Sequence, residues 1–136
     1  MKTITKIICA VLLVSVATIS TSCHKEKDQQ IPPNISFKTG GSYTSADCVV
    51  DTSQTITVGI TASKTEDKDL LTRFVATQKY DGGTTTTIVN ESFNQDTYDK
   101  DMTIHTRNIM GTETYTYTII NRDGLTKTVS LVLTVN

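Results

Sequence analysis

The sequence predicts an all-β domain, and three observations carry that prediction. Threonine occurs 27 times in 136 residues, whereas tryptophan is absent. Thr is β-branched, which makes it stiff at χ1 and suits it to the half-exposed, pleated surface of a strand. Apolar residues recur with a period of two in several runs, as a sheet with one solvated face requires. Clusters of Gly, Asp and Asn punctuate those runs at the spacing of a sandwich.

Taken in order, "KTGG" (Lys38–Gly41) closes a first strand. In "QTITVGITA", Ile56, Val58, Ile60 and Ala62 go to the inner face and Thr55, Thr57, Gly59 and Thr61 to the outer one. "SKTEDKDLL", Ser63 to Leu71, is a charged connection with room for one helical turn. "LLTRFVATQKY" alternates less cleanly, and Phe74, Ala76 and Tyr80 are assigned inward. Asp81, Gly82 and Gly83 of "YDGGTT" tolerate positive φ and close a hairpin. "TTTT" reads as the exposed start of the next strand. "MTIHT" places Met102 and Ile104 inward, and "TYTYTII" does the same with Tyr115, Tyr117 and Ile119. "NRDGL" puts Gly124 where a type I turn followed by a left-handed residue needs it. "SLVLTV" closes the pattern with Val129, Leu131, Leu133 and Val135 inside.

The N-terminal region has a different organisation. Lys2 and Lys6 precede an uncharged run from Ile7 to Ile19. That run is too short to span a bilayer, which takes about 20 apolar residues as a helix. It has the length of the apolar region of an export signal, and the small residues Ser20, Thr21 and Ser22 follow where a peptidase cuts. Immediately after Cys23 the composition turns to "HKEKDQQ". "STSC" resembles the lipobox of bacterial lipoproteins in the looser form found in Bacteroidota, with Ser20 where Leu is commonest. "KEKD" resembles the charged signal that sends such lipoproteins to the outer face of the outer membrane. The resemblance implies fatty acids such as palmitate on Cys23 and an outer-membrane location facing the cell exterior. Each buried methylene contributes about 0.8 kcal/mol and one chain anchors marginally, so the several chains of a lipoprotein Cys hold firmly. The expected organisation is a signal over 1–22, a charged, Gln-rich tether over 23–33 stiffened by "IPP", and one domain over 34–136.

A second resemblance rests on "GTETYTYTIINRDGLTKTVSLVLTV". This stretch resembles the last two strands of bacterial immunoglobulin-like domains of the polycystic-kidney-disease (PKD) type, with Gly111, Tyr115, Tyr117, Asp123 and Gly124 matching. It implies an immunoglobulin-like antiparallel β-sandwich of about seven strands. It also implies a tyrosine corner at Tyr115, with the hydroxyl bonded back to the chain. Upstream there is neither a core Trp nor an inter-sheet disulfide.

Reactive groups are sparse. Cys9 leaves with the signal and Cys23 carries lipid, which leaves Cys48 as a small buried apolar residue rather than half of a disulfide. After residue 22 the chain holds 11 basic and 14 acidic residues, a net charge of about −3, with no basic stripe for nucleic acid. His24 sits on the tether, and His105 falls on the solvated register of its strand. No HExxH, CxxC, GxSxG or phosphate-binding Gly loop occurs. The acidic groups Asp96, Asp99, Asp101 and Glu66, Asp67, Asp69 lack EF-hand spacing and carry interleaved Lys100 and Lys68, so both read as solvated loops.

The expectation is therefore a non-catalytic lipoprotein with no catalytic, cofactor or metal residues, whose assigned site residue is the lipid attachment point, Cys23. Its domain is expected to be monomeric and to bind a glycan or a protein. The alternative is an accessory subunit of an outer-membrane assembly such as a glycan-uptake complex, joined through an edge strand.

Overall fold

The computed structural model describes residues 29–136. The signal, Cys23 and His24 lie outside the described residues. Eight strands form: β1 (Asn34–Phe37), β2 (Cys48–Val50), β3 (Thr55–Ser63), β4 (Leu71–Tyr80), β5 (Thr85–Gln95), β6 (Thr97–His105), β7 (Gly111–Asn121) and β8 (Thr126–Val135). A three-stranded sheet has the order β1-β3-β6, and a five-stranded sheet has the order β2-β8-β7-β4-β5. All pairings are antiparallel except β2 with β8. The first edge is shared: β1 pairs with β3 in the small sheet, and the chain then crosses at 39–47 so that β2 lies beside β8 in the large one. This is an immunoglobulin-like β-sandwich, with one strand more than the sequence predicts.

Alternation places the core as predicted. Val58, Ile60, Phe74, Ala76, Tyr117, Ile119, Leu131 and Leu133 are each 0% exposed. Ile56, Ala62, Ile104, Tyr115 and Val135 are buried with them, and Met102 and Val129 pack against the cluster half-buried. Tyr80 shares the inward register but stays half-buried at the strand end. Aromatic rings join the two sheets: Phe74 of β4 meets Tyr98 of β6 at 4.8 Å, and Phe37 meets Tyr117 edge-on at 5.8 Å. Such pairs contribute about 0.5–1.5 kcal/mol beyond their burial.

The turns follow their residues. Asp81 and Gly82 have φ of 48° and 71°, and Gly83 N–H donates to Tyr80 O at 2.7 Å, the type I′ geometry that matches strand twist. At the other hairpin Gly124 takes φ 80°, with Gly124 N–H donating to Asn121 O and Asn121 N–H to Leu125 O. The segment after β3 forms only a turn, closed by Asp69 N–H on Glu66 O at 3.1 Å, rather than a helical turn. Two apolar faces already bracket these few residues, which leaves no stripe for a helix to bury.

The acidic stretch 96–101 departs from its predicted loop. Asp99 and Asp101 lie on β6, since Tyr98, Lys100 and Met102 continue the inward period through them. Both stay exposed there, whereas Asp69 is buried at 1% exposure with Arg122 at 3.5 Å and so departs from the expected solvated loop. Cys48 is half-buried on β2 and is a free thiol packed against the core cluster.

Candidate functional site

Strand register assigns every loop to one of two ends. Asn34 opposes Ser63, Ser63 opposes Thr97, and Leu71 opposes both Gln95 and Asn121, so the N-terminal segment, residues 64–70, Asp96 and the 121–125 turn share one end. The N-terminal segment is docked there: Ile31 N–H donates to Glu66 at 3.1 Å, and Thr65 Oγ1 donates to Pro32 O at 2.8 Å. At the opposite end Thr55 faces His105, Tyr80 faces Glu113, and Val135 lies between Val50 and Gly111. The turns 51–54, 81–84 and 106–110 gather there.

Loop 106–110 is held from both sides. Thr106 is buried; its hydroxyl donates to Asp51 O and accepts from Gln54 N–H, each at 2.8 Å. The carboxylate of Glu113 is 0% exposed and fully engaged. Its Oε1 accepts from Arg107 N–H at 2.8 Å and Arg107 Nε–H at 3.1 Å, and its Oε2 accepts from the Tyr115 hydroxyl at 2.7 Å. Tyr115 thus bonds to a side chain two residues upstream, not to the backbone as in the expected tyrosine corner. The inward Glu113 competes for that hydroxyl, and a buried carboxylate needs donors more than a carbonyl does.

Arg107 continues the clamp to the hairpin turn. Its Nη1 lies 2.7 Å from Asp81 Oδ2, and its guanidinium stacks over the Tyr80 ring at 4.3 Å. Asp81 Oδ1 in turn accepts from Thr112 N–H at 2.7 Å. The guanidinium hydrogen bond and then the Thr112 amide hold the Asp81 carboxyl below its ordinary range, and Asp81 raises Arg107 in return. Burial first, and Glu113 second, push the Tyr115 phenol far up, so it stays a donor. Gly111 completes the seat, because at φ 149° a Cβ here would lie 2.3 Å from Asp81 Oδ1.

The clamp presents apolar side chains to water. Ile109 is 67% and Met110 72% exposed, and Val49 beside Thr134 is exposed near the same end. No aromatic residue is among the exposed large hydrophobics of the described residues. The sequence reading missed Asp81, Arg107 and Glu113 as a unit. One signal was legible: Glu113 is in phase with Tyr115, Tyr117 and Ile119, a charge on the core face.

Two strand edges lie open along one flank. β5 ends the large sheet and β6 ends the small one, and they meet at Asp96 where the chain changes sheets. Near that crossing Glu91 of β5 accepts from Tyr98 Oη at 2.7 Å and from Lys100 Nζ, which closes the gap. Farther along, β5 carries a bulge at Ile88, and a groove of about 400 Å³ opens between the edges, lined by Ile88, Val89, Met102, Ile104, Gln78 and Tyr115.

The acidic residues do not converge. Asp99 and Asp101 share Lys38, with Lys38 Nζ 2.7 Å from Asp101 and Tyr43 Oη 2.9 Å from it. Asp96 pairs with Lys64 at 3.0 Å. Among the described residues no group of three or more His, Cys, Asp and Glu side chains is placed to hold a metal. His105 is exposed, as its register predicts, with Nδ1 2.8 Å from Thr55 Oγ1.

No family model matches the chain, and no curated protein sequence does. Among solved structures it is similar to a superoxide reductase (neelaredoxin) from Ignicoccus hospitalis, at TM-score 0.53 and 10% identity over 78% of this chain and 81% of that one. It is also similar to a CARDB domain from Pyrococcus furiosus solved with di-metal ions, at TM-score 0.43 and 12% identity over 76% and 94%. The first likeness, at that identity, is one of fold alone, and the second carries no weight for function.

Proposed function

We propose that this chain is a lipid-anchored, non-catalytic surface protein whose immunoglobulin-like domain binds a protein ligand with the end opposite its attachment. The observation that carries this reading is polarity. The N-terminal segment docks at one end, while Ile109 and Met110 are exposed on the clamped loop at the other.

Distances support it. Ten residues separate Cys23 from Pro33, a reach of at most about 36 Å. Strands of 9–11 residues add about 30–35 Å beyond that. The clamped loop is therefore the part of the domain farthest from the point where the tether joins it. A protein is favoured over a glycan because a sugar ring packs on exposed aromatic faces, whereas the exposed residues here are aliphatic or Met, a side chain suited to adaptable protein contacts. Non-catalytic character rests on the sequence, which holds no HExxH, CxxC or GxSxG motif. The accessory-subunit reading is favoured by the open edges of β5 and β6.

Cys23→Ala is expected to move the protein from membrane to soluble fractions and to abolish fatty-acid labelling; labelling that persists in the variant overturns the anchor. Met110→Cys is expected to react with a membrane-impermeant maleimide on intact cells. Reaction only after lysis excludes outward display.

A further inference from the structure

The open flank of the sandwich has a backbone chemistry that specifies its partner. In an antiparallel ladder, successive residues direct their N–H and C=O groups to alternate neighbours. Gly59 O accepts from Lys38 N–H, so Gly59 faces the β1 side and Ile60 faces β6. The residue opposite Ile60 is Lys100, which therefore turns toward β3. Thr106 N–H, in the same parity, donates to Gln54 O and confirms the phase. It follows that Asp99, Asp101, Thr103 and His105 direct their backbone groups outward, to the side where β6 has no neighbouring strand.

The same edge borders the groove of about 400 Å³, a volume within the range of ligand sites. Side chains of a strand laid along β6 would alternate. Those level with Met102 and Ile104 would enter the groove toward Ile88 and Val89. Those level with Asp101, Thr103 and His105 would stand on the outer face. On that face Asp99 and Asp101 share the single cation of Lys38, which leaves one negative charge in excess. Opposite charges on adjacent strands attract.

We propose that the groove between β5 and β6 is a strand-addition site. It takes an extended polypeptide segment of a partner protein, about five residues long, with aliphatic side chains at alternate positions and a basic residue at the end level with Asp101. The proposal deepens the binding-module reading and rests on it. It assigns the affinity to main-chain hydrogen bonds with β6 and the specificity to the groove. β5, blunted by its bulge, supplies the opposite wall rather than the ladder.

The test uses the whole chain, labelled with nitrogen-15 and held in detergent micelles, with the end-blocked peptide Thr-Val-Thr-Val-Lys as probe. Saturable amide shifts are expected at residues 101–105 and 88–89. Thr103→Pro removes an outward N–H at a position where an edge strand tolerates proline, and should weaken binding at least tenfold with the melting temperature nearly unchanged. The control peptide Thr-Asp-Thr-Asp-Lys, which leaves the protein unaltered, should also bind at least tenfold more weakly. Equal binding by the control, binding untouched by Thr103→Pro, or shifts confined to loop 106–110 overturns the proposal. Broadening of the edge amides as protein concentration rises without peptide assigns the edge to a second copy and overturns it as well. The Cys23 and Met110 experiments do not involve this edge, so a failure here leaves the display reading to stand or fall on its own.

Discussion

Tyr117 and Leu131 show how sharply one register divides the roles of neighbouring side chains. Both are 0% exposed, while Thr116 and Thr128 on the same strands sit on the outer face and reach only hydroxyls, Ser130 at 3.2 Å and Thr118 at 3.0 Å. Tyr117→Ala and Leu131→Ala should each destabilise the domain by about 2–5 kcal/mol, from lost transfer energy plus the cavity left behind. Thr116→Ala and Thr128→Ala should stay within about 0.5 kcal/mol, because those hydroxyls exchange a weak mutual bond for water. Chemical denaturation of the four variants checks this; comparable losses in both pairs would place the core on the other face.

Loop 106–110 is short, yet the two carboxylates that meet at Arg107, Asp81 and Glu113, tie it to the 81–84 turn and to β7. Asp81, Glu91 and Asp101 all have lowered carboxyl pKa values, caused first by hydrogen bonds from Arg107, Lys100 and Lys38 respectively. The sign follows from linkage. A carboxyl whose folded pKa is depressed contributes stability above its unfolded value, 3.8 for Asp81, and loses it as pH falls through the folded one. Asp81 is exposed, so screening keeps its contribution small. Asp81→Asn should melt below the parent chain at about pH 6, and the gap should narrow as pH falls below the ordinary carboxyl range and Asp81 becomes protonated. Melting curves across that range check it; a gap that does not change with pH would show that Asp81 acts through its Thr112 hydrogen bond and not its charge.

Across the described residues, charge is neutralised locally instead of being gathered into a centre. Lys38, Lys64, Lys100 and Arg107 each hold carboxylates that could otherwise have met around a cation. Calcium takes six to eight oxygen ligands, and a Lys in the group opposes it by charge. Melting temperatures with millimolar Ca²⁺ and with a chelator should therefore coincide. A ligand at 100 times its dissociation constant adds about 2.7 kcal/mol, so a tight site at Asp96–Asp101 or Glu66–Asp69 would appear as a shift of several degrees.

The inner faces of β3, β7 and β8 and the two hairpin turns were legible in the sequence, because side-chain period and turn chemistry are local properties. A Val at every second position or an Asp-Gly pair acts within a few residues of itself. The inward phase of Glu113 was legible in the same way, but its partners were not. Asp81 and Arg107 are 26 residues apart, and Ile31 and Glu66 are 35 apart. No period or spacing links such pairs; the lateral pairing of β4 with β7 and of β1 with β3, strands distant in sequence, brings them within hydrogen-bond distance. The crossing at Asp96 has the same origin. In the sequence, "TTTT" opens one strand and "MTIHT" alternates as another, with the acidic stretch Asp96–Asp101 expected as a solvated loop between them. The tertiary structure sends these two strands, β5 and β6, to opposite sheets, since β4 and β3 already offer each an edge and a core face to cover. That division, decided by packing across the molecule, is what leaves two edges and a groove between them.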